Sequence, residues 1–184
     1  GQSAWKNPYQ DVTDSSSYYE AVCYVTEKGL MNGTSASTFS PDAAMTRAMM
    51  VTILWRMEKE PAALKSNFTD LTADWYRTAV DWAAETGVVN GVGNGKFAPN
   101  ATLSLEQLIT ILYRYAENKG YNVSKSASLD SFTDGSAVSA YARPAMQWAV
   151  GMNFLSGNTL TPGAPASRAQ IAQVLMLFCK AYIK

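Results

Sequence analysis

The chain has 184 residues, enough for one good-sized domain or for a few small repeats sharing a core. Its 15 lysines and arginines balance 15 aspartates and glutamates, so no basic excess draws it to nucleic acid or a membrane surface. There is no histidine, which removes the commonest general base and a common zinc ligand, and two cysteines, Cys23 and Cys179, cannot make a four-thiolate site.

No apolar run is long enough to span a bilayer. No secretory signal opens the sequence, as expected of a mature or excised form. The cysteines allow either one disulfide closing the ends or two core thiols. Residues 1–8 read as a polar lead-in, with Trp5 docked on the body.

A first unit opens with Tyr9-Gln10-Asp11-Val12. Ala21, Val22, Tyr24 and Val25 lie at helical spacing and predict a helix over about 18–28, which Gly29 stops in a left-handed conformation. Leu30-Met31-Asn32-Gly33 makes a tight turn, and a loop carries Phe39 and Pro41. A second helix is predicted over 46–58.

The second unit repeats this plan. Phe68-Thr69-Asp70-Leu71 opens it, and Trp75-Tyr76 and Ala79 to Ala84 make its first helix. Gly87 to Gly91 ends that helix, and the run from Phe97 through Pro99 and Ser104 to Arg114 makes the loop and second helix. The same spacing separates Phe39 from Phe97 and Gly33 from Gly91.

The third unit opens with Phe132-Thr133-Asp134-Gly135. Its first helix holds Ala145, Met146, Trp148 and Ala149, and Phe154-Leu155-Ser156-Gly157 replaces the turn. Leu160, Pro162 and Ser167-Arg168-Ala169 then lead into a last apolar helix. Asn153 stands where the other units have Gly29 and Gly87, and asparagine is the next most tolerant residue for that geometry.

Polar stretches 59–67 and 119–131 join the units, giving boundaries of 9–60, 61–118 and 119–184. The fold class is therefore all-α: three tandem helix-loop-helix repeats, none of which can bury its apolar face alone. Trp55, Trp75, Trp82, Tyr113 and Trp148 supply much of the core.

Thr46, Ser104 and Ser167 sit where N-caps belong. Gln107 and Gln170 complete a capping box in repeats two and three, and Met49 breaks it in repeat one. Arg47 and Arg168 are not explained by capping. A cation at the first helical position faces the positive end of the helix dipole, which costs roughly a few tenths of a kcal/mol. Two offsets are open: an anionic ligand held by the guanidinium and the free first-turn N–H groups, or a salt bridge to an acid such as Asp70 or Asp134. Repeat two carries Leu105 and Glu106 instead, so its groove is expected to be weak, dead or structural, leaving one or two working grooves.

Asp11, Asp70 and Asp134 recur at the openings, where a turn or N-cap role before the first helix is the plain alternative to ligand binding. Gly33, Gly91 and Gly157 permit close approach of backbone to a ligand or to the adjacent loop. Trp75 and Trp55 are the candidate sugar platforms among the tryptophans. Lys28, Lys96 and Arg143 could add positive charge at a groove mouth. Catalysis is not expected: a nucleophile lacks its histidine base, and symmetry-related acids suit repeated binding better than one asymmetric site. No cofactor or metal is expected either.

Three copies of one ordered pattern (aromatic-x-Asp, Ala-Val-x-Trp-Ala, Gly-x-x-x-Gly, Phe-x-Pro, Thr-Arg-Ala) resemble a triplet of S-layer homology domains, over Tyr9 to about Tyr182. The resemblance implies a pseudo-threefold assembly around a central helical bundle, with grooves between units. It implies a non-catalytic module that anchors a longer extracellular bacterial protein to the cell wall. The ligand it implies is a secondary cell-wall polymer carrying pyruvylated N-acetylmannosamine, or peptidoglycan in some lineages. Arg47 and Arg168 would be principal ligand contacts, and Asp11, Asp70 and Asp134 would lie near the groove and accept sugar hydroxyls. Leu105, Met49 and Gln170 depart from the family motif. They keep a second reading open, a structural or protein-interaction module that has lost wall binding.

Overall fold

The computed structural model describes residues 5–183. Among them are six α-helices: α1 (Tyr19–Glu27), α2 (Arg47–Met57), α3 (Asp74–Thr86), α4 (Leu105–Asn118), α5 (Arg143–Gly151) and α6 (Arg168–Tyr182). Strands are absent among the described residues, where only isolated bridges such as Thr46 with Thr102 occur. The class is all-α, as the repeats predict. Two 3₁₀ turns, Gly135–Ala137 and Ala140–Ala142, precede α5 and were not foreseen. They occupy the stretch before Pro144, whose fixed φ suits the first turn of the helix it opens.

By contacts the chain divides into two compact units that cut across the repeats. In one, which runs to Ala44 and resumes at Ser167, α1 packs on α6. Val22 and Val25 of α1 and Ile171, Leu175 and Phe178 of α6 are buried there. In the other, Met45 to Ala166, α2 packs on α3 and α4 on α5. The second helix of each repeat thus meets the first helix of the following repeat, and the last returns to the first.

The hydroxyl caps form as the sequence predicts. Thr46, Ser104 and Ser167 accept N–H bonds from Met49, Gln107 and Gln170 at 3.2, 3.3 and 3.1 Å. The capping box closes in α4, where Gln107 accepts from the Ser104 N–H, whereas α6 has the Ser167 half. The next two first-turn donors go to loop carbonyls. Arg47 and Ala48 donate to Ala101 and Pro99, Leu105 and Glu106 to Ala164 and Pro162, and Arg168 and Ala169 to Ala43 and Pro41. The recurrent prolines therefore mark loops whose carbonyls satisfy otherwise orphaned helix donors.

At the other helix ends Gly29, Gly87 and Asn153 all have positive φ, at 70°, 78° and 63°. The joins are fastened rather than loose. Ser66 donates twice to Asp81 of α3, and Ala127 donates to the Gln147 carbonyl of α5. Trp82 and Trp148 are core residues, but Trp75, expected among them, is 53 % exposed. Cys23 and Cys179 are free thiols.

Candidate functional site

The three opening aspartates do one job. Asp11 accepts the N–H groups of Phe39 and Ser40, Asp70 those of Phe97 and Ala98, and Asp134 those of Leu160 and Thr161, all at 2.8–2.9 Å. None of their side chains caps the helix that follows: α1 and α3 have Tyr18 and Ala73 at their N-caps, and Asp134, at the N-cap position of the first 3₁₀ turn, makes no side-chain bond to it. The N-cap expectation is thus corrected to a clasp across 26–29 residues.

The clasp holds an unfavourable backbone. Ser40, Ala98 and Thr161 each precede a proline, where extended geometry is the norm, yet have φ of 57°, 59° and 46°. Burial raises the Asp11 and Asp70 carboxyls, but the paired N–H donors outweigh it and hold both below the ordinary range; at Asp134 the donors from Leu160 and Thr161 do the same.

This fixed loop presents carbonyls to the arginines. Arg47 Nε donates to the Phe97 carbonyl at 3.0 Å and Nη2 to the Asn90 carbonyl at 2.8 Å. Arg168 repeats the arrangement on Phe39, at 2.8 Å, and Asn32. Each guanidinium carbon lies 4.8 Å from the ring centroid of Phe97 or Phe39. The offset for a cation at a helix start is thus a pair of loop carbonyls. The expected salt bridge is not made, since Asp70 and Asp134 hold the loops instead. Nor are the first-turn N–H groups free for an anion. Burial pulls both guanidinium groups below their ordinary range, with Asp70 opposing at Arg47 and Tyr9 and Asp11 opposing at Arg168.

The two arginines differ in access. Arg168 is 8 % exposed. Arg47 is half-buried and borders an open groove of about 300 Å³. The turn at Val89, Asn90 and Gly91 forms one wall, α4 contributes Gln107, Thr110, Ile111 and Arg114, and Tyr141 stands at the side. No carboxylate belongs to this lining. Glu106 lies buried nearby, accepting the Ser139 N–H at 2.9 Å and its hydroxyl at 2.6 Å. Leu105, which replaces the arginine in repeat two, is buried. Burial and Glu106 push the Tyr141 phenol above its usual range, and Arg114 opposes them.

Of the residues singled out from sequence, Arg47 and Gly91 come together in this groove. Gly91 is there because a Cβ would fall 2.6 Å from Phe68 Cε1 and 2.7 Å from the Lys96 carbonyl. Gly33 is crowded in the same way by Tyr9 and the Thr38 carbonyl, whereas Gly157 faces open space with φ 104°. Trp75 stacks edge-on to Tyr76 outside the groove, and Trp55 donates to the Pro61 carbonyl. Lys28 sits over the Tyr24 ring, Arg143 donates to the Val138 carbonyl, and Lys96 acts on Asp70. Gln107, Thr110, Arg114 and Tyr141 were missed as groove residues. The 3–4 spacing of the α4 members was their available signal.

The loop and clasp recur in all three repeats, and the arginine geometry in two of them. The model of the S-layer homology domain matches residues 8–49, 67–109 and 131–172. The chain belongs to the S-layer homology domain family. An endoglucanase of Bacillus sp. (strain KSM-635) is 31 % identical over 91 % of this chain and 18 % of its own length. The surface-layer 125 kDa protein of Lysinibacillus sphaericus is 30 % identical over 84 % of this chain and 13 % of its own. A cellulosome-anchoring protein of Acetivibrio thermocellus is 27 % identical over 65 % and 29 %. The S-layer homology chain therefore spans less than a third of each of these relatives.

Proposed function

We propose that this S-layer homology chain is a non-catalytic anchoring module that holds a longer extracellular bacterial protein to the cell wall. Relatives named as a surface-layer protein, a cellulosome-anchoring protein and an endoglucanase share this segment, which suits attachment better than any one activity. In this reading the ligand is a secondary cell-wall polymer bearing pyruvylated N-acetylmannosamine, and it binds without a cofactor. No helix among the described residues is long and apolar enough to cross a membrane.

The observation that carries the proposal is the groove beside Arg47. It is open, it carries two arginines and no carboxylate, and it offers hydrogen-bonding groups at Asn90, Gln107 and Thr110. That lining suits an acidic sugar. Arg47 and Gly91 are its contacts from the repeated motif. Arg168, Gly33 and the aspartates Asp11, Asp70 and Asp134 act by building loops. Gly157 and Trp75 take no part in this groove. The interaction-module reading has its support in Leu105, which stands buried where the other two repeats have an arginine.

Titration of labelled protein with polymer fragments, followed by amide chemical shifts, tests the site. Shifts centred on Asn90, Gly91 and Gln107 are expected. Shifts centred on Asn32 and Gly33 would move the site to the Arg168 loop.

A further inference from the structure

We infer that Arg114, not Arg47, is the group that grips the ligand's carboxylate, with Gln107 and Tyr141 setting the sugar beside it. The inference rests on the wall-polymer reading and assigns the residue that makes this groove select an acidic sugar.

A carboxylate is best held by two parallel N–H donors of one guanidinium. On Arg47 the edge formed by Nε and Nη2 is already filled by the carbonyls of Phe97 and Asn90. The stacked Phe97 ring fixes that orientation. Arg47 thus forms the wall of the groove and keeps only part of its fork for a ligand.

Arg114 is differently placed. It is exposed, lines the same groove, and forms no ion pair among the described residues. It stands on α4 at helical spacing from Gln107, Thr110 and Ile111, so these side chains form one stripe along the groove. Thr110 is committed to the Glu106 carbonyl at 2.7 Å, and the Ser104 N–H holds the Gln107 side-chain oxygen at 3.0 Å, so the donors this stripe offers are the Gln107 amide N–H groups and the Arg114 guanidinium. Glu106 is tied to Ser139 and makes no ion pair with Arg114. Tyr141 is 55 % exposed beside this stripe, an aromatic face open to a sugar ring. The matching positions in the other second helices are Met49 with Arg56 and Gln170 with Leu177, so the glutamine–arginine pair belongs to α4.

The test is calorimetric titration of the whole chain with two probes: the methyl glycoside of pyruvylated N-acetylmannosamine and the same glycoside without pyruvate. Arg114→Gln is expected to weaken binding of the pyruvylated probe about ten- to a hundredfold, with no change in unfolding temperature. Arg56→Gln, on α2 outside the groove, is expected to bind like the parent. Parent discrimination between the probes that Arg114→Gln retains in full would overturn the inference and leave the wall reading standing. A parent protein that binds both probes equally, or neither, would overturn the pyruvate reading and the inference with it.

Discussion

Arg47 reaches across from the start of α2 to the Phe97 carbonyl, 50 positions along the chain, and its guanidinium lies over the ring of the same residue. Asp70 holds the other side of that residue through its N–H. An acid from the opening of a repeat, an aromatic from its loop and an arginine from the preceding repeat thus form one chain of contacts. Arg168, Phe39 and Asp11 make the second example.

The more buried of the two arginines should matter more for folding. Arg168→Gln removes bonds to two carbonyls that water cannot easily reach. A loss of about 2 kcal/mol or more is expected, or a fall in melting temperature of roughly 4–8 °C. Arg47→Gln should cost less, because solvent from the groove can replace its bonds. Thermal unfolding by circular dichroism checks the order.

The aspartate clasps predict a response to acid. Each carboxyl titrates below its unfolded value of 3.8, so the folded state favours the ionised form. The stability this gives is fully present above 3.8 and is lost as pH falls through the lower folded values. Melting temperature should therefore drop steeply below about pH 4, and Asp70→Asn should start lower at pH 7 and show a shallower drop.

Two glycines of the same motif should behave differently. Gly91→Ala places a Cβ within 2.7 Å of a backbone oxygen and against Phe68, so it should displace the turn and cost about 1–3 kcal/mol. It should also weaken binding in the groove it borders. Gly157→Ala meets no atom within 4 Å and pays for its positive φ alone, about 1 kcal/mol. Denaturant unfolding of both variants measures the difference.

Much of this fold was legible because periodicity and caps are local. The helix over 18–28 appears as Tyr19–Glu27, that over 46–58 as Arg47–Met57, and the hydroxyl caps lie where the motif puts them. The partners of Arg47 and Asp70 were not legible. Both bond to backbone groups, and a backbone carbonyl or N–H carries no residue signature. Nor could charge balance show that Glu106 is buried against Ser139, since that depends on a 3₁₀ turn 33 positions away. Arg114 and Gln107 lay inside the repeated stretch, and their 3–4 spacing puts them with Thr110 on one helix face, but what that face borders is set by the distant turn at 89–91 and by Tyr141.

The thiols offer a chemical check on the α1–α6 pair. Burial pushes Cys179 up to about 11, and burial with Glu27 also raises Cys23, which remains partly exposed. Iodoacetamide at pH 8 should label Cys23 slowly and Cys179 only on unfolding. Rapid modification of Cys179 in the folded protein would contradict this packing.

The most direct test is co-sedimentation of the protein with wall sacculi of the organism that encodes it, before and after mild acid removes pyruvyl ketals. The protein should pellet with untreated walls and stay in solution with treated ones. Equal retention on both, or on neither, would contradict an acidic-sugar groove beside Arg47.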